Sequence, residues 1–139
     1  MKAIIDDATR YFCEQTLGFN VEEGKSLGSG FYGASIPVFK GTREIHFYLF
    51  FKPATLKIFM EAFFGHDDIA GGDLDDLCRE IANQIIGRAK NTLNEREPNA
   101  YKLGTPEFLG EVKNFNIKLD EKFIYKMKNK TFQIGYKKA

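Results

Sequence analysis

Apolar residues recur at helical spacing over residues 3 to 17, where Ile4, Ile5, Ala8, Tyr11, Phe12 and Leu17 share one side and Gly18 ends the pattern. The period then falls to two. FYGASIPVF at 31 to 39 reads as a strand, and in TREIHFYLFF at 42 to 51 the residues Ile45, Phe47, Leu49 and Phe51 alternate onto one face. Lys40-Gly41 between them predicts a hairpin. ATLKIFMEAFF at 54 to 64 predicts a short helix stopped by Gly65. Gly71-Gly72 breaks the chain again, and Asp73 stands ready to cap the longest helix, 73 to 94. Its first turn carries Asp75 and Asp76 at the positive end of the helix dipole, and Pro98 closes the pattern. From Tyr101 on the chain is strand-like: FNIKL at 115 to 119, then FIYKMK and TFQIGYK flanking Asn129-Lys130. The order α-β-β-α-α-β-β-β predicts an α+β fold with helices on a largely antiparallel sheet. Without an internal repeat or a linker, residues 1 to 139 read as one domain.

Composition narrows the function classes. A hydrophobic content of 43%, with 14 Phe and no Trp, is globular and too apolar for disorder. Twenty basic against nineteen acidic residues leave a net charge of +1, so no global field points to nucleic acid or membrane. The longest apolar run, around Phe47-Tyr48-Leu49-Phe50-Phe51, is far short of the roughly 18 residues a membrane span needs. Two aspartates interrupt the N-terminal stretch where a signal peptide would be apolar. Cys13 and Cys78 both fall inside helical patterns and read as reduced core thiols. The expectation is a soluble cytoplasmic domain.

Three stretches imitate ligand sites. Gly28-Ser29-Gly30-Phe31-Tyr32-Gly33 spells GxGxxG, but a strand pattern follows where the dinucleotide fingerprint needs a helix, so the glycines are assigned to a turn. Gly65-His66-Asp67-Asp68 offers metal-ligand types, yet His46 is the other histidine and no cysteine pair completes a set. A solvated loop and no metal site are expected. Lys122, Lys126, Lys128 and Lys130 alternate in part with Phe123, Tyr125 and Met127, which is the pattern of a half-buried strand with a wet face.

The long helix carries more. Leu74, Leu77, Cys78, Ile81, Ala82, Ile85, Ala89 and Leu93 form an apolar stripe, and Asp76, Glu80, Asn83, Gln84, Gly87 and Asn91 lie opposite. A solvated face is the ordinary reading of such a stripe. Against it, solvent faces favour Lys, Glu, Arg and Ala, whereas Asn, Gln and Gly stand here where propensity should rule. Glycine costs about 1 kcal/mol against alanine in a helix interior, and Gly87 lowers the surface one turn beyond Asn83. The stripe is shaped for contact with another protein. Its E-x-x-N spacing alone is uninformative: 11 Glu and 8 Asn in 139 residues give 11 × 8/139, about 0.6 chance pairs, and Glu111 with Asn114 is a second hit.

The composite is specific. Asp76-Leu-Cys-Arg-Glu80-Ile-Ala-Asn83-Gln-Ile-Ile-Gly87-Arg-Ala-Lys resembles the signature helix of the CheC/CheX/FliY family of chemotaxis phosphatases. The surrounding pattern is similar too: an N-terminal helix, a strand pair carrying Gly33, Pro37 and Val38, a short helix, and Thr105-Pro106 with Phe108 and Gly110 before the last strands. One such helix rather than two, in a short chain, points to the CheX branch. The resemblance implies removal of the phosphoryl group from the aspartate of a phosphorylated CheY-type response regulator. In that role Asn83 orients the hydrolytic water, Glu80 pairs with the regulator's active-site lysine, and Gly87 permits close approach. The helical wheel adds Gln84 and Asn91 as contact residues. Mg²⁺ is expected on the partner regulator and no cofactor on this chain. A homodimer through sheet edges is a further expectation. The alternative is a non-catalytic, receiver-binding or flagellar-switch-like interaction module, which would have less use for Asn83.

Overall fold

The computed structural model describes residues 1–113 and 115–139. Asn114 lies outside the described residues, and with it the second Glu-Asn pair. Among the described residues seven strands form one antiparallel sheet: β1 (Val21–Glu23), β2 (Phe31–Lys40), β3 (Arg43–Phe51), β4 (Tyr101–Leu103), β5 (Glu107–Val112), β6 (Glu121–Met127) and β7 (Lys130–Lys138). Their order is β1-β6-β7-β3-β2-β4, with β5 sharing the outer edge of β2 with β4. Three α-helices cover one face: α1 (Lys2–Arg10), α2 (Pro53–Phe64) and α3 (Leu74–Arg96).

Period-two alternation in the long strands builds the floor of the core. Ala34, Ile36 and Val38 of β2, Phe47, Leu49 and Phe51 of β3, and Phe132, Ile134 and Tyr136 of β7 all point to the helices and are buried. The α3 stripe predicted from the sequence is buried throughout, and Ile86 joins it. Helix α2 starts with Pro53 at its first turn and ends on Gly65 in the left-handed conformation (φ 75°), where a side chain would be strained. Pro37 sits within β2, which proline normally avoids. Its carbonyl accepts from Gly104 N–H in the gap between β4 and β5, so the N–H it lacks faces a place with no strand partner.

The structure corrects the expected elements in several places. The first helix does not run evenly to residue 17. After Arg10 it widens into a π-helical turn, Tyr11–Thr16, with Leu17 N–H bonding Phe12 O. Tyr11 lies at the edge of the apolar stripe and is 44% exposed rather than core. Strands β1 and β4 are three residues each, too short for alternation to reveal. Phe115 to Leu119 form no strand, because β4 and β5 already occupy the edge of β2. Instead Phe115 packs on Tyr48 and Phe50 on the helix-free side of the sheet, with ring centroids 5.2 and 4.6 Å apart. The last hairpin turns at Lys128-Asn129, both with positive φ (50° and 63°) as a two-residue type I′ turn requires, one residue earlier than expected. Asp73 occupies the position before α3 but makes no side-chain cap; its carboxylate pairs with His66 Nε2 at 2.8 Å instead.

The imitation sites resolve in the same way. Gly28 and Gly30 have positive φ and lead directly into β2. His66 accepts Asp68 N–H at Nδ1, which fixes Nε2 as the donor to Asp73. Among the described residues no group of three or more His, Cys, Asp or Glu side chains is placed to hold a metal ion, and no helix is long and apolar enough to cross a membrane. Cys13 and Cys78 are free and buried, and burial pushes both thiols up to about 12.

One polar link ties α1 to the sheet across 119 residues of chain: the Tyr125 hydroxyl donates to Asp6 Oδ1 at 2.7 Å. Burial pushes the Asp6 carboxyl up, but hydrogen bonds from Lys2 and Tyr125 outweigh it and hold the group below its ordinary value of 3.8. Burial and the same bond push the Tyr125 phenol far up, so it remains a donor. Tyr125→Phe is therefore expected to cost about 1.5 kcal/mol, the scale of a hydrogen bond to a charged group. Because Asp6 titrates lower in the folded state, its contribution is complete above pH 3.8 and fades as pH falls through the depressed folded value. Urea melts of wild type and Tyr125→Phe should differ at pH 7 and converge in acid.

Candidate functional site

Burying nine residues of α3 fixes the rotation of the helix and turns its other side outward. Glu80, Gln84 and Asn91 are exposed there, and Asn83 and Gly87 are half-buried. The structure brings four of the five predicted residues together. Asn83, Gln84, Gly87 and Asn91 line one open depression of about 340 Å³, whose walls are Tyr11 from the π turn and Leu103 from β4. Glu80 lies outside the depression, on the preceding turn, and is joined to it by Gln84 Nε2 donating to Glu80 Oε1 at 2.8 Å. Asp76 belongs to a separate cluster, where Arg79 binds it at 2.6 Å and also binds Asp75.

The arrangement supplies amides, a glycine floor and one nearby carboxylate. An asparagine amide has an oxygen that accepts from water and an NH₂ that donates to an anionic oxygen. Half-buried on a rigid helix with 23 residues, Asn83 presents both groups in a fixed place. Among the described residues the side chains that line the depression are amides, a hydroxyl, a phenol, cations and apolar groups.

Gly87 is the telling position. A Cβ added there would meet one neighbour, Leu103 Cδ2, at 3.6 Å, which is ordinary van der Waals contact. The fold therefore does not require glycine, although helix propensity disfavours it. A requirement outside the fold fits that mismatch.

Sequence reasoning missed the walls. From the sequence Tyr11 reads as one of the apolar positions of the first helix, and Thr16, Arg88 and Leu103 carry no distinguishing signal. A weak signal existed for Tyr11, an aromatic at the margin of an amphipathic stripe. Nothing local marks Leu103, whose place depends on a three-residue edge strand pairing with Val38 of β2, far upstream in sequence.

Comparison with known proteins adds three findings. The family model described as chemotaxis phosphatase CheX matches residues 33–126, which include α3. No curated protein sequence matches the chain. Among solved structures the chain is similar to the chemotaxis protein CheX of Vibrio vulnificus, with a TM-score of 0.82 at 14% identity over 99% of this chain and 95% of that one. It is similar to a CheC-like superfamily protein of Shewanella sp. PV-4, with a TM-score of 0.77 at 18% identity over 98% and 96% of the two chains. It also resembles the CheX of a CheX–CheY–BeF3–Mg²⁺ complex from Borrelia burgdorferi, with a TM-score of 0.70 at 17% identity over 99% and 97%. At these identities the structural likeness establishes the fold.

The space over Gly87 leads to a stability prediction. Gly87→Ala should raise unfolding stability by roughly 0.5–1 kcal/mol, through helix propensity and a less flexible unfolded chain. Chemical denaturation reads this directly. A loss of stability would mean that the helix needs glycine for its own packing.

Proposed function

The chain belongs to the CheX family of chemotaxis phosphatases, and from that premise we propose that it hydrolyses the phosphoryl-aspartate of a CheY-type receiver domain docked on α3. The observation that carries this reading is the depression itself: Asn83, Gln84, Gly87 and Asn91 converge beside Glu80 on a helix face that packing leaves outward. The Borrelia CheX, captured with CheY, BeF3 and Mg²⁺, supports a receiver as the partner class.

The chemistry asks little of this chain. An aspartyl phosphate is an activated acyl phosphate, so the task is chiefly to place water in line with the leaving carboxylate. Asn83 takes that role: its amide oxygen accepts from the water and its NH₂ donates to a phosphoryl oxygen. Glu80 exchanges its contact with Gln84 for the receiver's active-site lysine, a charge-assisted bond that aligns the two proteins. Gly87 lets the receiver backbone come close, and Gln84 and Asn91 border the contact. Mg²⁺ belongs to the receiver, where it neutralises phosphoryl charge.

Self-association through sheet edges has less support. β7 lies inside the sheet and β6 is covered by β1 only along Tyr125–Met127, so the edges are β1 with the first residues of β6 on one side and β4 with β5 on the other. β1 is three residues long, and β5 carries a register irregularity at Gly110 together with Glu107 and Glu111. Short, irregular and charged edges resist pairing.

Dephosphorylation of a Mg²⁺-loaded phosphorylated receiver, measured over a range of receiver concentrations, tests the assignment. Asn83→Ala should lower kcat about 10²-fold, the scale of losing a positioned reactant, with KM changed less than about twofold. Glu80→Ala should chiefly raise KM, and Glu80→Lys should raise it further by opposing like charges. Full kcat in Asn83→Ala would refute the water-positioning role. Binding by wild type without any acceleration would replace the phosphatase with a receiver-binding module.

A second prediction joins function to the glycine. Gly87→Ala should weaken receiver binding about tenfold, the size of an interface hot spot, in a protein that is no less stable than wild type. Titration of the receiver against both proteins, beside their denaturation curves, checks it.

A further inference from the structure

Arg88 stands one turn beyond Gln84 and lines the same depression, but its surroundings differ from those of Arg79 on the same helix. Arg79 binds two carboxylates, those of Asp75 and Asp76. Arg88 has none within hydrogen-bond reach: Asp7 Oδ2 is 3.7 Å from its Nε, and that Nε is shut off from solvent without an acceptor among the described residues. Its guanidinium instead lies over the ring of Tyr11, 3.6 Å from the centroid. Tyr11 is itself 44% exposed at the start of the π turn.

From this geometry we propose that Arg88, braced by Tyr11, is a specificity-determining residue that engages a carboxylate on the surface of the docked receiver. The proposal rests on the reading of α3 as the receiver-binding helix. A guanidinium whose carbon rests over an aromatic ring leaves its terminal N–H groups free for a planar carboxylate. Its conformation is already restricted, so less side-chain entropy is lost when a partner arrives. The phosphoryl group is assigned to Asn83, which leaves a receiver side chain as the anion for Arg88.

The charges along α3 give this contact a purpose. Arg79 occupies the carboxylates of Asp75 and Asp76, so Glu80 is the acidic group next to the depression on its N-terminal side, Arg88 and Lys90 are the basic ones on its C-terminal side, and uncharged Asn83, Gln84 and Gly87 lie between. Glu80 and Arg88 are about 12 Å apart along the axis at ~1.5 Å rise per residue. A receiver with a cation and an anion at that separation fits in one direction. Docked the other way round, it meets like charge at both ends. Arg88 thus selects orientation and, among receivers, those with an acidic group at the matching place.

The test measures kcat and KM on a Mg²⁺-loaded phosphorylated CheY-type receiver, with wild type, Arg88→Gln, Arg88→Lys, Arg88→Glu and Tyr11→Ala. Arg88→Gln and Tyr11→Ala should each raise KM about tenfold and leave kcat within about twofold, as loss of a docking contact does. Arg88→Gln should also flatten the salt dependence of KM. Arg88→Glu should be worse, and reversing one acidic surface residue of the receiver to lysine should restore part of its binding. Wild-type KM in Arg88→Gln and Tyr11→Ala, beside an active wild type, overturns the proposal, as does a fall in kcat with KM unmoved. Failure of every single reversal on the receiver to rescue Arg88→Glu overturns the carboxylate contact. Should Arg88→Gln not fold, Arg88→Lys decides: a raised KM supports the planar contact and an unchanged one refutes it. A wild type that neither binds nor dephosphorylates receivers removes the α3 reading itself, a result distinct from the others.

Discussion

The packing of α3 onto the sheet sets the position of everything else. Leu77, Cys78, Ile81, Ala82, Ile85 and Ile86 are fully buried, and burying each large aliphatic side chain contributes about 1.5–3 kcal/mol. Successive residues on an α-helix are about 100° apart, so slipping α3 by one position would expose about half of this stripe and bury Asn83 or Gln84, according to the direction of the slip. Burying an amide without partners costs about 2–7 kcal/mol, so the two penalties reinforce each other. The outward face is consequently as firmly determined as the core. A site that works by placing one amide needs that firmness, because α3 cannot rotate to accommodate a partner.

Legibility in the sequence followed the length of each element and the distance between the parts it assembles. The stripe on α3 repeats over six turns, and β2 and β3 alternate over nine or ten residues, so neither could be mistaken. β1 and β4 have three residues each, and pairing rather than local pattern makes them strands. The alternation at 115 to 119 was real but belonged to a segment lying across the sheet, with Phe115 turned down onto Tyr48 and Phe50. The floor of the candidate site, from Asn83 to Asn91, could be drawn on a helical wheel. Its walls could not, because Tyr11 stands far upstream of α3 and Leu103 just beyond it, and they flank the site only when the first helix and β4 have both packed on α3.

Asp73 illustrates how a local rule gives way to a neighbour. Its type and position suit a helix cap, and isolated helices would use it so. Here the His66 imidazole, donating from Nε2 at 2.8 Å, is the competing partner, and it is oriented in turn by Asp68 N–H at Nδ1. The loop between α2 and α3 is thereby tied to the start of the signature helix. Asp75 and Asp76 still place carboxylates in the first turn, where they complement the helix dipole while pairing with Arg79.

Displaced ionisation would be a poor guide to function in this molecule. Perturbed groups often cluster at active sites because acid–base chemistry needs them. The large upward displacements here belong to Cys13, Cys78, Tyr125 and Tyr136, where burial is the first cause, and none of these residues lines the depression on α3. They report on the core and on the sheet. That distribution is what the proposed reaction leads one to expect. An acyl phosphate supplies its own good leaving group, so the catalyst needs orientation more than proton transfer, and orientation is done by amides that do not titrate. The sign of function left to read is then a violation of helix propensity: Asn83 and Gly87, poor helix formers in consecutive turns, on a face where the fold itself would accept alanine at the second.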